Sequence, residues 1–202
     1  MKKGAFTLIE LLIVLVITGI VLALAVPVVS SSLRGMQLTQ TSQMVDSAIR
    51  LARQIALTKN RTVEVRFYRY TSAESGGVNS FQAFQSFEID DSGSAKALSK
   101  ARKLPATILF DASPQMSSLF SPSLAKAWTS SDPAISIPGT GTTYNAYAFQ
   151  FRPDGSANLA INAQWYVTLH YRVHGDNLAT LPHNFTVLNI DPWNGQTHVF
   201  RP

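Results

Sequence analysis

The 202 residues contain no cysteine. Disulfide frameworks, cysteine-ligated zinc and thiol nucleophiles are thereby excluded together. A fold exported from the reducing cytoplasm would have to hold by packing alone. Charge is sparse as well, at 14% of residues against 46% hydrophobic, which excludes a disordered polyelectrolyte. The positive excess is small, 17 Lys and Arg against 12 Asp and Glu, for a pI of about 9.6. Without Lys2 and Lys3 the net charge falls from +5 to +3, well short of a dedicated nucleic-acid arm. No Gly-x-Ser-x-Gly elbow, phosphate loop or dinucleotide fingerprint occurs, and no internal repeat.

What is present is concentrated at the N-terminus. Lys2 and Lys3 precede an uncharged run from Leu11 to Val29, broken only by Thr18, Gly19 and Pro27. Nineteen helical residues rise about 28 Å, close to the hydrocarbon thickness of a bilayer. Leading lysines place that end in the cytoplasm. Three readings compete. One is a secretory signal peptide with Ala23-Leu24-Ala25 as its cleavage site. The second is a static membrane anchor carrying a binding domain, and the third a prepilin-type signal. Glu10 decides among them. A carboxylate inside an apolar helix costs of the order of 2.5–3.5 kcal/mol near the bilayer centre, less near an end, and normally has a partner. A signal peptide and an anchor offer it none. An α-amino group made by cleavage a few residues upstream does.

The stretch Ala5-Phe6-Thr7-Leu8-Ile9-Glu10-Leu11-Leu12 resembles the prepilin motif of type IV pilins and type II secretion pseudopilins. The resemblance implies a prepilin peptidase that cuts before Phe6 and methylates its new amine. It also implies pairing of Glu10, then residue five, with a neighbouring subunit's N-terminus. The same register puts Pro27 at position 22, where many pilins carry a helix-loosening proline. The family usually has Gly before the cut, whereas here Ala5 stands there and Gly4 one earlier. Cleavage after Gly4 would shift Glu10 to position six, so the Ala5–Phe6 bond is preferred.

Beyond Pro27 lie Ser30-Ser31-Ser32 and Gly35, which read as breakers or kinks within a helix. From Gln37 to Thr58, Leu38, Val45, Ala48, Ile49, Ala52, Ile55 and Ala56 recur at helical spacing. Thr62–Tyr70 changes to period two, and further strands are expected at Phe81–Ile89, Ala106–Phe110, Tyr147–Phe151, Trp165–Val173, Phe185–Ile190 and Thr197–Phe200. Residues 112–145 read as a surface insertion with a short helix near Leu119–Trp128. The expected fold is α+β, a long N-terminal helix packed on an antiparallel sheet. Its divisions are a leader at 1–5, a transmembrane and assembly helix at 6–33, an amphipathic second half at 34–60 and a β-rich head at 61–202.

The head resembles the H-type minor pseudopilins and FimT-like minor pilins. The resemblance rests on Ala52–Leu57 leading into Val63–Phe67, on Phe151-Arg152-Pro153-Asp154-Gly155 and on Ile190-Asp191-Pro192-Trp193-Asn194-Gly195. It is more similar to the Verru_Chthon cassette protein D family, through Leu33-Arg34-Gly35, Val63–Tyr68, Phe149–Gly155 and Phe200-Arg201-Pro202. These likenesses imply a structural subunit without catalytic site, cofactor or metal, inserted in the inner membrane by a single pass with its head in the periplasm. After assembly it would stand in a fibre at the cell surface or outside it. The partners implied are the peptidase and other pilin subunits.

Other chemistry is weak. His170 and His174 share a face of the expected strand about 13 Å apart, too far for one ion, and read as a solvated face. His183 and His198 stand alone. Glu88, Asp90, Asp91 and Gly93 lack the ligand spacing of an EF-hand and read as an acidic turn, although some pseudopilin heads bind calcium. Some FimT-like pilins bind DNA through basic residues near the C-terminus. Here Gln196 and Thr197 stand where an arginine pair would be needed, and Arg50, Arg53, Lys59, Arg61, Arg66 and Arg69 are interspersed with acids. That argues against DNA as a partner.

Overall fold

The computed structural model describes the backbone of residues 7–126, 137 and 144–202, and their side chains except those of 24–34 and 75. The chain falls into two compact units, Met1–Gln37 and Leu38–Pro202, and helix α1 (Leu8–Lys59) contributes to both. It is helical through Ser30–Ser32 and Gly35, which composition alone marks as breaks or kinks. Its end is closed by Asn60 in the left-handed conformation (φ 52°) and by a bond from Arg61 N–H to Ala56 O of 3.2 Å. This is the Schellman arrangement, with Asn in place of Gly. Lys59 then reaches Glu88 at 2.5 Å.

Among the described residues the second unit is a nine-stranded antiparallel sheet over the part of α1 from Leu38 onward. The strands are β1 (Thr62–Thr71), β2 (Asn79–Ile89), β3 (Ala95–Ala97), β4 (Arg102–Lys103), β5 (Ile108–Phe110), β6 (Asn145–Phe151), β7 (Trp165–Tyr171), β8 (Phe185–Ile190) and β9 (Thr197–Phe200). Their order is β6-β1-β2-β5-β7-β8-β9, with β3 and β4 also on β2. A register shift at Tyr68/Arg69 leaves Gln82 as the extra residue on β2.

The core lies between α1 and one sheet face. Leu38, Val45, Ile49, Ala52 and Ala56 are fully buried there, on the face anticipated from their spacing. The two alanines let the helix approach closely. Against them stand Val63, Val65, Phe67, Phe81, Phe110 and Phe149. The opposite face of β1 is not solvated. Glu64 and Arg66 pair there at 2.5 Å, both buried, and Gln150 Nε2 donates to Glu64 at 2.9 Å. The Arg66 guanidinium lies over the Phe87 ring at 4.0 Å. A second cluster of Tyr68, Tyr70, Phe87, Ile137 and Ala146 covers the rest of that face.

Two expectations need correction. The stretch at 112–145 is not a surface insertion throughout. Leu119 and Phe120 are buried, with Phe120 stacked on Phe81 at 3.8 Å, and Ile137 is buried in the second cluster. In place of the helix expected at Leu119–Trp128, short 3-10 turns form at Ser118–Phe120 and Pro122–Leu124, because Pro122 interrupts the run. Trp128 lies outside the described residues.

The strand expected over Trp165–Val173 ends at Tyr171, and Arg172–His174 form a 3-10 turn closed by Gly175. The fold-back brings the rings of His170 and His174 to 6.3 Å rather than strand spacing. His170 is not on a solvated face. It is buried against Asp111, with Nε2 2.8 Å from Oδ2.

Candidate functional site

The candidate assembly site is the start of α1. Gly4, Ala5 and Phe6 lie outside the described residues, and Pro27 is in α1 with its side chain outside the described ones. Glu10 is placed by a local device. Thr7 precedes the first helical residue, its hydroxyl accepts from Glu10 N–H at 3.3 Å, and Glu10 Oε2 lies 3.5 Å from Thr7 N–H. This reciprocal pattern is a capping box, which satisfies two backbone donors at a helix start. The Thr-x-x-Glu spacing is itself the sequence signal for that box. Glu10 therefore has a partner within its own chain.

From Leu8 to Leu22 the apolar side chains are exposed on every side of the helix, Leu8 at 85% and Val16 still at 52%. A helix apolar all round is stable only in lipid or among other apolar helices. The one hydroxyl in this stretch, that of Thr18, donates to Val14 O at 2.7 Å. Among the described residues no helix is long and apolar enough to cross a membrane. The uncharged run to Val29 continues past Ala23, where the described side chains of this stretch stop.

In the second unit many of the basic residues are engaged. Arg50 bonds Asp46 at 2.9 Å and Thr197 O at 2.7 Å. Arg61 pairs with Asp91 at 2.7 Å, and Arg69 lies 3.9 Å from Asp176. Arg201 bonds the Thr39 hydroxyl, and the Thr197 hydroxyl donates to the Asp46 carboxylate. Arg53 Nε donates to Gly155 O at 3.2 Å and to Asn194 O at 2.7 Å. It thus pins together the two turns, Pro153–Gly155 and Pro192–Gly195, that carry much of the head's resemblance. Ala157 N–H adds a bond to Pro192 O at 2.9 Å. Trp193 projects from this pair of turns, 76% exposed.

The histidines and acids form no second centre. His170 Nδ1 lies 3.0 Å from Tyr171 O while Nε2 faces Asp111, so neither nitrogen is available as a base or ligand. Burial works to raise the Asp111 carboxyl. Hydrogen bonds from His170, Ser113 N–H and Leu178 N–H outweigh it and hold Asp111 below the ordinary carboxylate range. Asp90 is held low by the hydroxyl of Ser92 and the N–H of Ser94, which close the acidic turn on itself. Among the described residues no group of His, Asp or Glu could hold a metal ion.

Residues 1–26 match the prokaryotic N-terminal methylation motif. That motif leads into a helix which, from Leu38 onward, packs on an antiparallel sheet, an α+β order. No curated protein matches it. Among solved structures it is similar to the minor pseudopilin EpsH of the Vibrio cholerae type 2 secretion system, at 8% identity and a TM-score of 0.46, over 82% of this chain and 98% of that one. It is also similar to the Pseudomonas aeruginosa type IV minor pilin FimU, at 13% identity and a TM-score of 0.44, over 82% of this chain and 92% of that one.

Proposed function

We propose that this protein is a structural subunit, without enzymatic activity, of a type IV pilus or type II secretion-like fibre. The observation that carries the reading is the methylation motif at residues 1–26, with its acid at the start of a helix apolar on every side. The precursor inserts in the inner membrane with Lys2 and Lys3 inside and the head in the periplasm. A prepilin peptidase removes residues 1–5 and methylates Phe6. The apolar helix then exchanges lipid for the same surface on other subunits, at little net change in apolar burial. Glu10 meets a neighbour's new amine as the dielectric around both falls, and Pro27 loosens the helix where it packs. The basic residues of the head that a DNA-binding reading would need are tied within the fold, which supports a protein partner instead.

The capping box sets the test. Gln can hold the N3 position of such a box but carries no charge. Glu10→Gln therefore keeps the helix start and removes the ion pair. The expected outcome is a processed, membrane-inserted protein that fails to enter fibres, while Thr7→Ala still enters. Fibre incorporation of Glu10→Gln at the wild-type level would show that Glu10 only caps. Mass spectrometry of the mature chain should give an N-terminus at methylated Phe6; one at Val26 would overturn the reading.

A further inference from the structure

Asn194 is the only one of the nine asparagines that is followed by glycine. That order is chemically labile, because glycine has no side chain to keep its nitrogen from the neighbouring side-chain amide and its backbone turns freely. The Gly195 nitrogen attacks Asn194 Cγ. The bond from Cγ to the side-chain nitrogen breaks, and that nitrogen leaves as ammonia with the former N–H proton. Water then opens the five-membered imide at one carbonyl to give aspartate, or at the other to give isoaspartate, whose main chain is longer by one carbon.

The fold uses both residues of this labile pair. Gly195 has φ 66°, and a Cβ there would lie 2.1 Å from Gly155 O. Asn194 Oδ1 accepts from Gln196 N–H at 2.7 Å, the Asx turn that asparagine makes readily. The same turn opposes the reaction. Gly195 is buried, and its N–H donates to Asp191 O at 2.8 Å, so the attacking nitrogen is already engaged away from Cγ. The Gln196 bond holds the Asn194 side chain in one orientation. Asn194 O accepts from Arg53 Nε at 2.7 Å, which fixes the peptide unit that would have to rotate. Ring closure in the folded chain must first open these bonds, whereas an unfolded chain has none of them to open.

We propose that Asn194 is a site of spontaneous deamidation that the folded turn shuts, through Asp191 O, Gln196 N–H and Arg53, so that residue 194 converts chiefly in chains that have not folded. The isoaspartate product does not fit the native turn. Its extra main-chain carbon displaces Gly195, where one added carbon already meets Gly155 O and the Phe151 ring. A chain altered before folding therefore loses the contact between Pro153–Gly155 and Pro192–Gly195.

The test uses the full chain in non-ionic detergent micelles at mildly alkaline pH, one sample folded and one unfolded in guanidinium chloride. Mass spectrometry follows conversion of the peptide that contains residue 194 from amide to acid, and chromatography separates isoaspartate from aspartate. The folded sample should convert at least about tenfold more slowly, because hydrogen bonds of ordinary strength must open before the ring closes. Arg53→Met keeps the apolar stem and removes both carbonyl bonds. While folded, that variant should convert several times faster than the wild type; if it does not fold, the wild-type comparison decides alone. Equal rates in the folded and unfolded wild type, or a folded Arg53→Met chain as slow as the wild type, would overturn the proposal.

Discussion

At Gly195 an added methyl group would sit 2.1 Å from the carbonyl oxygen of Gly155, and the backbone there has φ 66°. Alanine would thus meet both a rigid backbone atom and an unfavourable dihedral. Gly195→Ala is expected to cost about 2 kcal/mol or more in urea unfolding. At Gly155 the obstruction is the flexible end of Leu57, at 2.9 Å, so Gly155→Ala should cost less, mainly through its φ of 82°. The sequence marks both positions as turn glycines. It does not show that the turns touch, or that Arg53 receives both, because nothing in spacing reports which turns meet. Glu10 illustrates the opposite case. Its capping partner is three residues away, and the Thr-x-x-Glu pattern alone is enough to place it.

Strands show where pattern succeeds and where it stops. Phe185–Ile190 and Thr197–Phe200 have the bounds that alternation suggests. The strand expected at Trp165–Val173 is too long because alternation with apolar residues continues past Tyr171. The turn there depends on bonds to distant segments, such as Arg172 N–H to Thr107 O. The segment after β7 is secured by Asp111, just past β5. Its carboxylate takes His170, Ser113 N–H and Leu178 N–H together. Because the folded carboxyl lies below its unfolded value, this stabilisation is present above the unfolded carboxylate range and is lost as pH falls through the folded value. The unfolding midpoint should therefore decline below about pH 4, and Asp111→Asn should flatten that decline. At neutral pH the same change should destabilise by roughly 3–5 kcal/mol, the cost of breaking a buried pair. Calorimetry across the pH range checks both. The charged residues of β1 make a related point: Glu64 and Arg66 alternate like an outward face, but the second cluster and Gln150 close over them.

For the whole molecule, the α+β order and the packing of α1 on the sheet are legible, because helical period gives way to period two at one place in the chain. The role of 112–145 is not, since its buried apolar residues include the adjacent Leu119 and Phe120 and the distant Ile137 amid polar ones. The division at Gln37/Leu38 falls where the buried stripe of α1 begins. A fragment beginning at Leu38 keeps every residue of that stripe and should unfold cooperatively by circular dichroism. A fragment beginning at Arg50 lacks Leu38, Val45 and Ile49 and should not fold.

β9 has a further bearing on how the molecule is made. Its Thr197 and the nearby Arg201 fasten to Asp46, Arg50 and Thr39, partners 147 to 162 residues earlier in the chain. At ribosomal speeds of 5–20 residues per second, roughly 8–30 s separate the synthesis of Asp46 from that of Thr197, 151 residues on. During that interval the helix exists and its polar links to the end of the chain do not. A nascent chain thus passes through a period in which the polar face of the helix around Thr39, Asp46 and Arg50 still waits for its late partners. The late strand acts as a timer, and a ribosome stalled before Thr197 would leave Asp46 and Arg50 without the contacts that fasten the chain's end to the helix.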